Sequence, residues 1–540
     1  MRENRRIRGI LPATLVHLLP SQVAGRALRR MRRLAARPAR VPRLAVNPEL
    51  TTKTSFPALQ DKSAPSRTFE FLGWTTDLEP PVDWDPNDAP ALVRYKLNYF
   101  DFLATLDDDT RRDMCMDWIF SNRPFRSTGW DPYPTSLRII NWVKHTADSH
   151  EVRRSLYTQA DYLARFPEVH LLGNHFLENA RALIFAGSAF PREQAAEQWL
   201  RKGISIYGRQ THEQILPDGG HFERSPMYHA IVLEGYLDVL NLLGEGHPAW
   251  RRLKSTASDM LTFLVALTHP DGTIALFNDA TTEVAPSTHT LCAYAFDVAG
   301  LKPEHRSAFR DTGYFVHRDS QVYAVIDAGP IGPDYLPAHA HADIFSFELS
   351  RRGRGLIVDS GVYEYQRGAM RDYVRSTRAH NTVEIDGRDQ VEVWGEFRVG
   401  RRSRPYGVRF DDRTDGFDFS GTFSGYRKII GDGIRHVRRM SLKEGRLSIQ
   451  DDVSGSGQHK VVSRLHLHPD VTVSRQGDSA LELAIGSERC LLTSTGGELG
   501  VAQGWYCPEF GKKLPNAVVE LAHNGNLPVQ LQLIVDLGLN

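Results

Sequence analysis

Tyr323-Ala-Val-Ile-Asp327, Gly355-Leu-Ile-Val-Asp359 and Thr382-Val-Glu-Ile-Asp386 are three short β-branched runs with glycine near their ends. Runs of this length and composition read as strands, and they recur towards the C-terminus in Leu447-Ser-Ile-Gln-Asp451, Val461–His468 and Val529–Val535. Many short strands with few helical segments between them predict an antiparallel β-sandwich. Upstream the period changes. Glu193–Tyr207, Met227–Leu243 and Trp250–Leu267 repeat apolar residues at three-to-four spacing, and turn signals such as Pro217-Asp-Gly-Gly220 separate them. Successive helices without strands predict an all-α layer, with helical hairpins arranged in a ring. The expected fold class is thus multidomain α+β: a basic N-terminal arm over 1–65, a helical ring over 66–310 and a β-sandwich over 311–540.

A chain of 540 residues exceeds one ordinary core, which agrees with this division. A formal net charge of +1 argues against a whole-molecule grip on nucleic acid, but leaves room for a local basic cleft that holds an acidic sugar chain. Cys115, Cys292, Cys490 and Cys507 are scattered and form no CxxC pair, so neither a disulfide framework nor a thiolate metal site is expected. The first 43 residues carry twelve arginines against one acid, Glu3. Their apolar stretch, Ile10–Leu19, is too short for a transmembrane segment, which needs roughly 20 residues. No clean small-residue cleavage site follows it. The segment reads as a basic amphipathic arm lying on the protein or on anionic lipid, with an export signal as the alternative. The bacterial cell envelope or periplasm is the expected location; without a clean signal peptide, the cytoplasm is the alternative.

Four segments concentrate polar residues. In Gly173-Asn174-His175-Phe-Leu-Glu178-Asn179, one helical turn puts His175 and Glu178 on one face; alone, this reads equally as a helix start with satisfied polars. Asp218-Gly-Gly-His221-Phe-Glu223-Arg224-Ser-Pro-Met-Tyr228-His229 runs from a Gly-Gly turn into a helix start, where anions are favoured and Arg224 can take a carboxylate in bidentate fashion. A capped helix with Tyr228 in the core is its plainer reading. In His339-Ala-His341-Ala-Asp343 the histidines are two apart and share a face if extended. With Asp359 and His380 they match the nitrogen and oxygen ligand set of Zn²⁺, or else are separately hydrogen-bonded residues. Asp372-Tyr-Val-Arg375-Ser-Thr-Arg378-Ala-His380-Asn381, with Trp394 and Arg398, supplies donors and an aromatic for the wall of a sugar cleft.

Together these segments resemble the heparinase II/III family of polysaccharide lyases, including the oligoalginate lyases. The similarity runs from Trp130-Asp-Pro-Tyr-Pro-Thr-Ser-Leu-Arg138 to Gly511, and is most specific at Asn174–Asn179, Pro217–Tyr228, His339–His380 and Trp394–Arg398. The resemblance implies an (α/α) toroid followed by a β-sandwich, and a structural divalent metal, normally Zn²⁺, held by His341, Asp359 and His380. It implies Tyr228, Asn174, His175 and His339 as catalytic residues. The substrate-binding set is expected to be Glu178, Arg224, His229, Tyr365, Arg375 and Trp394. The substrate implied is an acidic polysaccharide or oligosaccharide, cleaved by β-elimination, and a homodimer is compatible with the resemblance.

In that reaction Asn174, His175 and Arg224 neutralise a uronate carboxylate. His339 removes the C5 proton from one ring face, and Tyr228 protonates the departing C4 oxygen. A cationic pocket would lower the Tyr228 pKa and let it act as base as well. Tyr228 and His339 are expected within about 10 Å of each other, flanking one sugar ring, with the metal just behind His339. Rival readings are a C5-epimerase, a glycoside hydrolase using carboxylates among Glu178, Asp218 and Glu223, and a non-catalytic sugar-binding protein of an exopolysaccharide or capsule pathway.

Overall fold

The computed structural model of the chain describes residues 2–35, 37–38, 40–42, 44, 56–57, 68–145 and 149–538. Of the expected basic arm, 45–55 and 58–67 lie outside the described residues. Its first part forms two helices, α1 (Arg2–Leu15) and α2 (Pro20–Ala35). A small hairpin of β1 (Thr68–Phe71) and β2 (Trp74–Asp77) follows.

The helical half comprises α3 (Ala91–Leu97), α4 (Asp108–Ser121), α5 (Pro132–His145), α6 (His150–Arg165), α7 (Gly173–Ala189), α8 (Gln194–Gln214), α9 (Pro226–Leu243), α10 (Trp250–Ala266) and α11 (Thr288–Ala299). One apolar core joins the first of these helices through Trp118, Trp130, Trp142 and Phe100. A second joins α7 to α11 through Leu177, Leu233, Leu237, Leu261 and Leu291.

Strands then take over. β3 (Ala308–Phe309), β4 (Tyr314–Arg318), β5 (Val322–Asp327), β6 (Phe347–Arg351) and β7 (Arg354–Ile357) form a sheet in sequence order. Beyond it lie a four-stranded and an eight-stranded sheet, and every strand pairing in all three is antiparallel. One core serves the three sheets, including Phe347 and Leu349, Val461 and Val519, and Leu447 and Leu533. Period-two burial produces this packing: in Arg435–Lys443, His436, Arg438, Met440 and Leu442 point inward, while the residues between them are part or fully exposed. Glu444 and Gly445, both at positive φ, close the two-residue turn into the next strand, as a type I′ hairpin requires.

The halves are hydrogen-bonded to each other. Asp218, ahead of α9, accepts from the Thr312 amide at 2.7 Å and hydroxyl at 2.6 Å. Between α10 and α11 a loop containing Asn278 and Asp279 pushes from the helical half into the β half, and this insertion organises the site. No helix among the described residues is long and apolar enough to cross a membrane. All four cysteines are free.

Candidate functional site

Three local features bring the polar residues together. First, Leu172 and Gly173 both adopt positive φ at the start of α7. A Cβ on Gly173 would meet Glu223 Oε1 at 2.7 Å and Leu336 Cδ2 at 2.4 Å, so only glycine lets Glu223 approach the helix start. Glu223 accepts there from the Asn174 amide at 3.2 Å and from Asn174 Nδ2 at 3.3 Å. Second, Ser225 caps α9, accepting from the Tyr228 amide at 3.2 Å and donating to the Asp279 carbonyl at 2.6 Å. Third, Asn278 accepts from the His341 amide at 3.0 Å, and the Asp279 amide donates to the His339 carbonyl at 3.1 Å.

Asp279 is the hub. Its Oδ2 faces His339 Nδ1 at 3.0 Å and its Oδ1 faces His341 Nε2 at 2.9 Å. Arg371 binds both oxygens, with Nη2 at 2.9 Å from Oδ2 and Nη1 on Oδ1. Burial alone would raise this carboxyl. Arg371 and the hydrogen bonds from His339, His341 and Arg371 outweigh burial and hold it well below the usual carboxylate range. The other nitrogen of His339, Nε2, lies 3.2 Å from Glu223 Oε2. Two carboxylates from the helical half therefore grip a histidine of the β half.

Tyr228 stacks on His339 with ring centroids 3.8 Å apart, and its hydroxyl meets that of Tyr365 at 3.1 Å. Phe397 lies edge-on to both His339 and Tyr365. Burial first, then the neighbouring Tyr365, raises the Tyr228 phenol well above its ordinary value. This corrects the expected depression: Tyr228 is a neutral phenol over the physiological range. The stack also leaves no gap for a sugar between the two rings, so His339 does not stand across a sugar ring from Tyr228. The two groups sit side by side. His175 projects nearby with Nδ1 3.0 Å from Glu168 Oε2 and its ring 4.2 Å from that of Tyr133.

Behind His339 lies a group that can hold a metal ion. The ligating atoms of His341, Asp343 and His380 all fall within 4.8 Å of one another. His341 Nδ1, His380 Nε2 and Asp343 Oδ2 are buried without a hydrogen-bond partner among the described residues, which is the signature expected of atoms that share a cation. The other nitrogens are occupied by carboxylates, His341 Nε2 by Asp279 and His380 Nδ1 by Asp359 at 2.8 Å. Such outer carboxylates orient metal-binding imidazoles. Burial brings His341 down to about 4; at His380 burial is overridden by Asp359, which lifts it to about 9. The group so brought together contains Asp343 where the sequence expectation puts Asp359; Asp359 instead spends Oδ2 on His380 and on Ser346 at 3.2 Å.

Two profiles of one family match this chain. Heparinase II/III N-terminus covers residues 144–296, and Heparinase II/III-like, C-terminal, covers 301–532. The chain belongs to the heparinase II/III family. Two similar proteins are heparin-sulfate lyases, from Bacteroides stercoris (30% identical over 259 residues, 42% of this chain and 38% of that one) and Pedobacter heparinus (28% over 289 residues, 48% and 42%). The aligned region spans about two-fifths of these relatives' length. A solved structure of heparinase III superposes with a TM-score of 0.70 at 17% identity, covering 95% of this chain and 89% of that one, so the fold is shared.

Within this heparinase II/III fold, Asn174, His175, Tyr228, His339 and Tyr365 converge. The other expected substrate-binding residues do not. Glu178 turns into the helical core, 2.9 Å from Arg181 and near Asp238, and burial lifts its carboxyl to about 6. Arg224 spends its guanidinium on the carbonyls of Thr312, Phe222 and Asp311. Arg375 does the same with those of Ala340, Gly395, Glu396 and Arg398. His229 is buried between the Met260 carbonyl and the His221 amide. Trp394 donates from Nε1 to Thr14 beneath α1. Among the described residues, the contacts of these side chains go to the frame around the cleft. The sequence expectations include neither Asp279 nor Asp343 among the site residues, and Glu223 enters them within the polar segment at the helix start and as a hydrolase carboxylate. The sequence signal for Asp279 is slight: an Asn-Asp pair just after the apolar run Ile274–Phe277.

Proposed function

We propose that this protein is a polysaccharide lyase that cleaves a uronate-containing, acidic polysaccharide by β-elimination between C4 and C5. The heparin-sulfate lyases among its relatives favour a glycosaminoglycan of the heparin-sulfate type. The observation that carries the reading is the Tyr228–His339 stack with His339 Nδ1 fixed on Asp279. A carboxylate at Nδ1 keeps the proton on that nitrogen and leaves Nε2 as the basic site. Nε2 takes the C5 proton once Glu223, which shares a proton with Nε2 across 3.2 Å, gives way to substrate and keeps that proton. Tyr228, a neutral phenol, donates to the C4 oxygen as it leaves, and because the rings lie side by side both transfers occur on one face of the sugar. Asn174 and His175 meet the substrate carboxylate. The Asn174 donors that now hold Glu223 are suited to a second carboxylate, and each such donor contributes about 3–4 kcal/mol to an enolate-like transition state.

The helical half is read as the (α/α) toroid of the family. The divalent metal is read as Zn²⁺ in a structural role, held by His341, His380 and Asp343, where it would pin the segment that carries His339. Incubation with a panel of uronic-acid polymers, followed by the ultraviolet absorbance of the unsaturated product, tests the function. An epimerase would give no such absorbance.

A further inference from the structure

Among the described residues, helices α1 and α2 fasten to the body through Ile10, Thr14, Gln22 and Gly25. Ile10 is buried where a Cβ on Gly400 would strike it at 2.3 Å, and Thr14 bonds the Val399 carbonyl and receives Trp394 Nε1. Gln22 donates to the Tyr335 carbonyl at 3.3 Å, and Gly25 lies against His170, which a Cβ would meet at 2.7 Å. Away from these anchors the segment exposes apolar side chains. Among the described residues, six of fourteen exposed large apolar side chains fall in this short segment: Leu11, Leu15, Val16, Leu19, Val23 and Leu28. Val16 at 76% and Val23 at 58% exposure stand well clear of the surface. Such clustering on a protein surface marks an interaction site.

The segment is also strongly cationic, with twelve arginines and one acid in the first 43 residues. Arg402 and Lys428 bear on His17 at the turn between the helices, opposed by Asp334.

We propose that the α1–α2 hairpin docks on an anionic lipid surface, its exposed apolar side chains among the acyl chains and its net positive charge drawn to the headgroups. A bilayer satisfies both features at once. A soluble polyanion would pair with the arginines but leave the leucines and valines in water. A second copy would set one strongly cationic segment against another. The hairpin grips the protein at the Trp394–Gly400 segment and at His170, close to Phe397 and Asn174, so docking holds the cleft beside the membrane. The inference does not depend on the chemistry proposed above.

The test is sedimentation of the full chain with vesicles of phosphatidylcholine alone and of equal parts phosphatidylcholine and phosphatidylglycerol. The protein should pellet with the anionic vesicles only, less so as salt is raised. The double variant V16E/V23E should reduce the bound fraction about tenfold while leaving the melting curve unchanged. Three results would overturn the proposal: wild-type protein left in the supernatant, equal binding to both vesicles, or variant binding equal to wild type. Two others would do so by naming another occupant. One is self-association without lipid that V16E/V23E abolishes; the other is retention on immobilised heparin, the same for both proteins, without any vesicle binding.

Discussion

Replacing Asp279 by Asn keeps the side chain's shape and removes its charge. Three partners depend on that charge. Arg371, fully buried, would keep only the Glu396 carbonyl as acceptor. Loss of one member of a buried ion pair costs about 3–5 kcal/mol, and the amide's remaining oxygen argues for the lower end. The two imidazoles fare worse. His339 Nδ1 and His341 Nε2 now each face a separate carboxylate oxygen, and an amide offers one oxygen and one N–H₂. One histidine must therefore lose its acceptor or switch tautomer. If it is His339, the basic nitrogen faces the wrong way and turnover should fall by about 10²–10⁴-fold with KM little changed, because Asp279 does not reach the cleft. If it is His341, metal affinity should fall about 10–100-fold. The assay pairs initial rates of unsaturated-product formation with metal content per chain and a thermal melt. A variant that melts earlier but keeps wild-type turnover would reduce Asp279 to scaffolding. Full recovery of turnover on metal saturation would show that it acts through His341 alone.

Tyr228→Phe removes one hydroxyl from a half-buried ring, so the fold should persist while kcat falls about 10²–10⁴-fold; near-normal kcat would remove Tyr228 from the reaction. Asp343→Asn should strip the metal, as read by elemental analysis, more completely than Asp359→Asn, and the reverse order would restore Asp359 as the ligand. Burial brings His229 down from the ordinary 6.5 to about 4, so below pH 6.5 the unfolded chain binds a proton that the native one refuses. Stability should therefore be lost as pH falls from 6.5 towards 4, with His229 accounting for about 3 kcal/mol of it. His229→Gln should flatten that decline in denaturant titrations across the window, and an unchanged slope would contradict the assignment.

The division into helices and strands was legible because hydrophobic period is a local property, and the long runs of α9 and α10 and the alternation at Arg435–Lys443 carry it plainly. Convergence of Asn174, Tyr228 and His339 was legible only through motif order, since nothing local brings residue 174 to residue 339. The misassigned residues share a cause. Arg224 and Arg375 look like free cations in sequence, but each is surrounded by backbone carbonyls from turns that sequence does not place. Glu178 lies one helical turn beyond His175, yet that turn swings it towards Arg181 and away from the cleft. Asp343 lies two residues beyond His341, and strand periodicity does not point it at the metal-competent group because the segment it occupies is not a strand.

The pattern of carboxylates explains why the site needs both halves. His339 is held at Nδ1 by Asp279 and at Nε2 by Glu223, and both acids come from segments ahead of residue 300. His341 reaches the same Asp279, so a buried metal group and a reactive histidine lean on a single side chain that neither β-strand periodicity nor metal-ligand spacing would nominate. The dependence also runs the other way. Without Arg371 from the β half, the Asp279 carboxylate would be an unpaired charge inside the helical half, and without His339 the acid Glu223 would keep only Asn174 among these partners. Asp279 from one half and Arg371 from the other thus each neutralise the other's buried charge. Cleft assembly and interdomain docking are for that reason one event, and substitutions at Asp279 or Glu223 should register in the stability of the whole chain as well as in turnover.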